Sequence, residues 1–386
     1  MAANRRTLPL VVLVVAVIYA AVIGLSIRRY GGNLSVLIDA GEKDVKTEPG
    51  ALGHHIIVFR NSIGYDGLAY YNVAADPFLQ RRTFHDAFRY QRIGYPLVVW
   101  ATSLGRQEWR PVAMVGVNVV AVLVVAYLSG LITLLYGEGA SVWWALACAV
   151  NPSLIIGVQL DLAEPMTVAL SLAGLLLYLR QRVVWAALAL AAALLTREVA
   201  ILFLLPLLVA EIGARRFRRA LALVLAVVPY LVWQVVLWRV FGQTGVATSQ
   251  GNFDLPFVGI RALVAAARHA SLRNALVHQG SVLAVGVLVC LALVVAAVHA
   301  WRRYDVVLGG LLAHGAAALF AAPAIWLAYT SAARVFGGLF PLTILAFVRH
   351  RTLAFALLAG GVVLLTLFTF VRLVAISPTL PYYVTP

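Results

Sequence analysis

Apolar runs long enough to cross a bilayer follow one another along most of this chain, and the short turns between them alternate between arginine-rich and arginine-poor. A span needs roughly 20 mainly apolar residues to match a hydrocarbon core of about 30 Å. In lipid every backbone N–H and C=O must find an internal partner, so runs of this kind fold as helices. Composition agrees: 63% of the 386 residues are hydrophobic, only 12% are charged, and the mean hydropathy is +0.93. A soluble domain is about half apolar and a quarter charged. The pattern predicts an all-α polytopic integral membrane protein, one membrane domain over residues 1–386 with about 11 transmembrane helices.

The first helix is expected over 8–27, after Asn4-Arg5-Arg6; its 20 residues and the lack of a small-x-small cleavage site favour a retained span over a signal peptide. The one long polar stretch follows, over 28–110, as a loop carrying short motif helices. Within 111–240, helices are expected near 111–136, 141–157, 162–180, 183–196, 198–212 and 219–240. A second hydrophilic segment, 241–280, has amphipathic spacing over 255–277 with Arg261, Arg268 and Arg273, which suits a helix lying in the interface. Within 281–376, helices are expected near 281–300, 305–328, 332–348 and 353–376, leaving a tail over 377–386.

The arginines set the orientation. Arg5, Arg6, Arg180, Arg182, Arg215, Arg216, Arg218, Arg219, Arg302, Arg303, Arg349 and Arg351 fall on one side, whereas the opposite short turns hold only Arg197 and Arg334. Positive residues mark the cytoplasmic side, and long loops are exempt. The expectation is a multi-pass protein of the inner or plasma membrane, N-terminus in the cytoplasm, the 28–110 loop and C-terminus outside. The net charge of +15 is thereby explained by membrane topology, so nucleic acid is not an expected partner, and membrane lipid is. Cys148 and Cys290 both lie inside apolar runs and suggest neither a disulfide framework nor a metal site. No phosphate-binding glycine loop, dinucleotide fingerprint or zinc-protease motif occurs.

Ionisable groups in apolar segments are costly, about 2.5–3.5 kcal/mol at a helix centre, and usually face a bundle interior or a wet cavity. Here Asp161, Glu164, Arg197, Glu198 and Arg334 are all placed at the outer helix ends, with Asp66 in the outer loop. Asp66 is placed to open a short helix that Pro77 helps end, and Tyr70 lies one turn on, on the same face. It either caps that helix or serves as a general base over a cavity. Asp161 and Glu164, three apart, share a face if one helix includes both; they then favour the helix dipole, hold an acceptor's hydroxyls or, less favoured, bind a divalent cation. Arg197-Glu198 reads as a self-neutralising pair or as a phosphate contact oriented by Glu198. Arg334 has no acidic neighbour in sequence and needs an anion from elsewhere, a phosphate or the lipid interface. In Phe88-Arg89-Tyr90-Gln91-Arg92-Ile93-Gly94-Tyr95-Pro96, Arg89 and Arg92 share a helical face that Tyr95 continues, as a headgroup contact or a phosphate clamp.

Tyr65-Asp66-Gly67 with Tyr70-Tyr71, followed by Arg89-Tyr90-Gln91-Arg92 and Tyr95-Pro96, resembles the signature of bacterial multi-span proteins of the GT-C glycosyltransferase superfamily, including those of cell-surface glycopolymer formation. Asn151-Pro152, Glu164 and Thr196-Arg197-Glu198 are also similar to the order of motifs in the GPI-anchor mannosyltransferase family, although Tyr65 replaces its Trp and Ala163 its hydroxyl residue. The resemblance covers roughly residues 1–200. It implies transfer of a sugar from a polyprenyl-phosphate donor to an extracytoplasmic glycan, lipid or protein acceptor, with inversion. Asp66 would be the base, Arg197, Arg334 or the Arg89/Arg92 pair would neutralise phosphate, and no metal or other cofactor is expected. The competing expectations are a transporter or lipid flippase for envelope precursors, and a non-catalytic scaffold.

Overall fold

The computed structural model of the chain describes residues 2–47, 52–81, 86–248, 251–269, 271, 279–373 and 380–385. Helix makes up 75% of it, with little strand. Among the described residues five helices are long and apolar enough to cross a membrane: Arg6–Tyr30, Arg110–Tyr136, Phe217–Phe241, Gly280–Arg302 and Leu353–Val371. The pair Tyr329–Val335 and Leu339–His350, bent by 52°, makes a sixth if it is one span. Three further apolar helices have only 14 to 16 residues. At 1.5 Å per residue they reach about 21–24 Å, short of the hydrocarbon core. Five or six of the expected spans are thus full length.

Helix α1 (Ala2–Ile27) leads into the first polar segment, which holds β1 (Ala40–Gly41), α2 (Glu42–Thr47), β2 (Ile57–Phe59), α3 (Asp66–Ala75), α4 (Ala87–Tyr90) and α5 (Gly94–Thr102). The bundle continues with α6 (Arg110–Tyr136), α7 (Trp144–Ala149), α8 (Pro152–Gln159), α9 (Glu164–Leu179), α10 (Val183–Thr196) and α11 (Ile201–Gly213). The run expected as one helix over 141–157 is two, because Asn151 accepts a hydrogen bond from the Leu154 N–H and caps α8 while Pro152 occupies its first turn. The run over 219–240 remains one crossing, with a local turn at Ala226-Val227 that separates α12 (Phe217–Leu225) from α13 (Val228–Phe241) and Pro229 in the first turn of the second. Next come α14 (Gly245–Thr248), α15 (Val258–His269), α16 (Gly280–Arg302), α17 (Val306–Leu319), α18 (Pro323–Trp326), α19 (Tyr329–Val335), α20 (Leu339–His350), α21 (Leu353–Val371) and β3 (Tyr382–Val384). The amphipathic α15 covers 258–269 of the expected 255–277 and buries Gly259 and Leu263; residues 270 and 272–278, with Arg273, lie outside the described residues, as do 374–379.

Two ends of the bundle are chemically distinct. At one, β2 pairs parallel with β1 and antiparallel with β3, with Val58 opposite Tyr383, so the C-terminal strand joins the first polar segment. At the other, Arg219 donates to Gln181 at 2.9 Å, Arg349 donates to the Tyr136 carbonyl at 3.1 Å, and His350 meets Asp305 at 2.8 Å. The arginine-rich turns are therefore neighbours in pairs, 180–182 with 215–219 and 302–305 with 349–351, and the second pair lies at the Tyr136 end of α6, opposite the polar segment.

Candidate functional site

The site is built where α3 docks on the bundle. Tyr65, in extended conformation, is the residue before α3, and its N–H donates to the Asp39 carbonyl at 3.0 Å. A Cβ on Gly67 would lie 2.5 Å from the carbonyl oxygens of both Ile38 and Leu160. Only a residue without a side chain lets α3 approach so closely. We expect Gly67→Ala to push α3 outward and lower stability by roughly 1–3 kcal/mol, read by thermal unfolding in detergent. Gly24→Ala, whose Cβ would meet nothing within 4 Å, is the control and should have no such cost.

Docked in this way, Asp66 is the first residue of α3 and not its cap, and its carboxylate turns to two arginines. Oδ2 accepts from Arg334 at 2.7 Å and Oδ1 from Arg89 at 3.3 Å. Arg334 reaches on to Glu164 at 3.6 Å, and Glu164 also binds Arg197. Arg334 lies over the Tyr65 ring, 4.7 Å from its centre, a cation–π contact that holds the guanidinium beside Asp66. Five charges from five separate segments, Arg89, Asp66, Arg334, Glu164 and Arg197, form one chain of ion pairs. It is graded: the Asp66 side chain is 25% exposed, those of Glu164 and Arg197 only 3%. Asp66 lies outside the spanning helices. Burial alone would raise its carboxyl, but Arg334, Arg92 and Arg89 outweigh that and hold it well below the usual carboxylate range.

A second ion pair lies alongside. Arg92 grips Glu198 bidentately, Nε to Oε2 at 3.0 Å and Nη2 to Oε1 at 2.6 Å. Beneath both, Tyr70 packs its edge on Tyr95, with centroids 5.4 Å apart. The Tyr95 hydroxyl takes a hydrogen bond from Asn118 at 3.0 Å, and Asn118 donates to Asp161 at 3.4 Å. Several buried polar atoms have no hydrogen-bond partner among the described residues: Tyr70 Oη, Arg197 Nε, and Arg334 Nε and Nη1. Burial raises the Tyr70 phenol, and Arg92, Glu164, Arg197 and Asp66 are all within electrostatic reach of it. Buried donors without acceptors are costly, so such a group marks a place for an acceptor-rich ligand or water. A gap of about 20 Å³ bordered by Glu164, Arg197, His314 and Arg334 has room for a single water.

All ten expected site residues therefore gather at the polar-segment end, but several pairings differ from those their spacing suggested. Arg197 and Glu198 do not pair with each other, because Arg197 ends α10 in extended conformation and points to Glu164, leaving Glu198 to Arg92. Asp161 and Glu164 do not share a helical face. Helix α9 starts at Glu164, and Asp161 sits before it in left-handed conformation (φ 46°), bonded to Asn118. Arg89 and Arg92 do not act as one clamp, since α4 ends at Tyr90 and the two reach different carboxylates. Arg334 is not a lone interfacial arginine, being held by Asp66 and Glu164. The sequence reading missed Asn118, although a single amide inside the 27-residue apolar α6 was the available signal.

Comparison with protein-family models, curated proteins and solved structures finds no match to this chain.

Proposed function

We propose that the chain is a GT-C-type glycosyltransferase that moves a sugar from a polyprenyl-phosphate donor to an extracytoplasmic glycan, lipid or protein acceptor. The observation that carries this reading is the Asp66 cluster, where one partly exposed carboxylate is held by Arg334, whose guanidinium still has unsatisfied donors, and by Arg89. A carboxylate beside an acceptor hydroxyl can take its proton, and spare guanidinium donors suit a phosphate leaving group. The acceptor oxygen attacks the anomeric carbon, the bond to the donor phosphate breaks with its electron pair on the phosphate, and the hydroxyl proton passes to Asp66. A single displacement inverts the anomeric centre.

The arginine pairing gives this scheme an internal trigger. A base held far below neutral is a weak one. As the donor phosphate draws Arg334 away from Asp66, the carboxylate loses its main positive neighbour and becomes more basic as the substrate arrives. Arg197 and Arg89 then contribute to phosphate binding, while Tyr70, Tyr95, Asp161, Glu198 and Arg92 hold the frame and the acceptor side.

In the membrane the chain has eleven crossings, the shorter helices included, with the N-terminus cytoplasmic and the C-terminus extracytoplasmic in the inner or plasma membrane. The arginine-rich turns cluster at one end and the Asp66 segment at the other, which supports that orientation. Nucleotide sugars are cytoplasmic, so a site on the far side draws on a donor already carried across by a lipid. A transporter would place its polar groups near mid-membrane, whereas these lie at one end.

The direct test incubates purified full-length protein with radiolabelled polyprenyl-phosphate mannose, glucose or arabinose and a cell-envelope glycan extract. One label is expected to move to the acceptor fraction. Retention of all three labels on their lipids overturns the proposal for these donors.

A further inference from the structure

A second cavity, of about 220 Å³, lies behind the wall that carries Asp66. Its polar lining comes from Ser26, Arg29 and Tyr30 at the outer end of α1, Asp39 directly after the 3-10 turn Leu34–Ile38, and Gln159 at the end of α8. Leu37, Phe59 and Leu160 supply an apolar floor. Gly67 marks the other side of the wall, since its hydrogen atoms face the Ile38 and Leu160 carbonyls. The cavity and the Asp66 cluster are therefore back to back, separated by one layer of backbone.

Asp39 is the residue that gives this cavity its chemistry. It adopts left-handed conformation (φ 52°, ψ 52°), which is uncommon for a residue with a side chain. Its carbonyl is engaged by the Tyr65 N–H, yet its carboxylate forms no hydrogen bond or ion pair among the described residues. Burial pushes that carboxyl up to about 6. A half-buried carboxylate with no protein partner among the described residues, beside the Gln159 amide on the same lining, offers hydrogen-bond acceptors and donors to a polyhydroxyl ligand. Tyr30 stands edge-on to Phe59, with centroids 5.6 Å apart, and offers an aromatic surface at the rim.

We propose that this cavity binds one sugar ring of the acceptor glycan, with Asp39 and Gln159 taking its hydroxyls and Tyr30 packing on its C–H face. This inference rests on the transferase reading and adds to it a secondary site for a ring of the acceptor distant from the reacting hydroxyl. The volume is below the roughly 300–1,000 Å³ of pockets for drug-sized ligands, so it suits a single ring. Arg29 on the same lining favours an anionic headgroup and Asp39 opposes it, so the test includes phosphoethanolamine as a competitor. The connection to catalysis is short: Asp39 holds Tyr65, the residue before Asp66, so a ring seated on Asp39 fixes the start of α3.

The test uses methyl glycosides of mannose, glucose, galactose and arabinose, with binding to full-length protein in detergent followed by saturation-transfer NMR. At least one glycoside is expected to bind wild type and Asp66→Asn equally. Asp39→Asn, which keeps a residue tolerant of left-handed backbone, should weaken binding at least tenfold, and Leu25→Trp, which fills the cavity from α1, should abolish it. No binding to wild type, or undiminished binding in both cavity variants, overturns the proposal. So does binding lost only in Asp66→Asn, or displacement of the glycoside by phosphoethanolamine. Transfer is not read, so these failures leave the transferase reading standing; conversely, glycoside binding without transfer from any donor keeps the cavity and removes that reading.

Discussion

Asp66→Asn is expected to reduce sugar transfer by a factor of about 10²–10⁴, the usual contribution of a positioned acid or base, while the protein still reaches the membrane and purifies as a folded species. The substitution keeps the size of the side chain and one oxygen that can accept from Arg334 or Arg89, so the docking of α3 through Gly67 and the Asp39–Tyr65 hydrogen bond should survive. What is lost is the negative charge and the ability to hold a proton. Wild type also has a defined pH behaviour. Because the arginines hold the Asp66 carboxyl well below its ordinary value, the group is ionised throughout the neutral and mildly acidic range. Any stability it lends through these pairs is present at neutral pH and is lost only in strong acid, as pH falls through its depressed pKa. A rate profile for transfer should therefore show no acidic limb from free-enzyme Asp66 between about pH 5 and 7, the side chain being protonated only below that window. Asp66→Asn and wild type compared in the labelled-donor assay decide the matter: near-normal transfer by the variant removes Asp66 from the chemistry.

How much of this could be read from the sequence depends on the range of the interaction. Helix α10 is Val183–Thr196, the span expected from the apolar run alone, and α6 begins one residue from its expected start. Both are bounded by local signals, an arginine turn or a break in the apolar pattern, and local signals survive folding. Asp66 as the opening of a short helix was legible for the same reason. Breaks inside apolar runs were harder. Pro229 and Pro152 are visible, but a proline sits in a first turn or a kink with equal ease, and neighbours decide which. The partners of the charges were not legible. Arg197 is next to Glu198 in sequence yet binds Glu164, and Arg334 finds Asp66 across a separation of 268 residues. Those choices follow from the way α9, α10 and α19 end around α3, and no spacing rule along one helix encodes them. Asp39 was overlooked because its one distinguishing property, a left-handed backbone that lines a cavity with its carboxylate, exists only after the first polar segment has folded against α1 and α8.

The Glu164–Arg197 pair provides the second large effect, and it separates architecture from function. Both side chains are 3% exposed. Charges taken out of water cost several kcal/mol each, and removal of one partner leaves the other buried and uncompensated. Arg197→Leu is thus expected to lower stability by roughly 3–5 kcal/mol, seen as a large fall in the thermal unfolding midpoint in detergent. Arg334, 3.6 Å from Glu164, softens the loss but already serves Asp66 and cannot serve both fully. Glu164→Leu combined with Arg197→Leu removes both charges together, and replacement of a buried pair by apolar residues is often neutral or stabilising. The double variant should therefore recover most of the lost stability. Its activity carries the decisive information. If Arg197 and the Glu164-anchored Arg334 neutralise a departing phosphate, transfer stays low in the refolded double variant, because Leu supplies no donor and Arg334 has lost one of its two anchors. If transfer returns along with stability, the pair is only a strut between α9 and α10, and phosphate neutralisation must come from Arg334 and Arg89 alone.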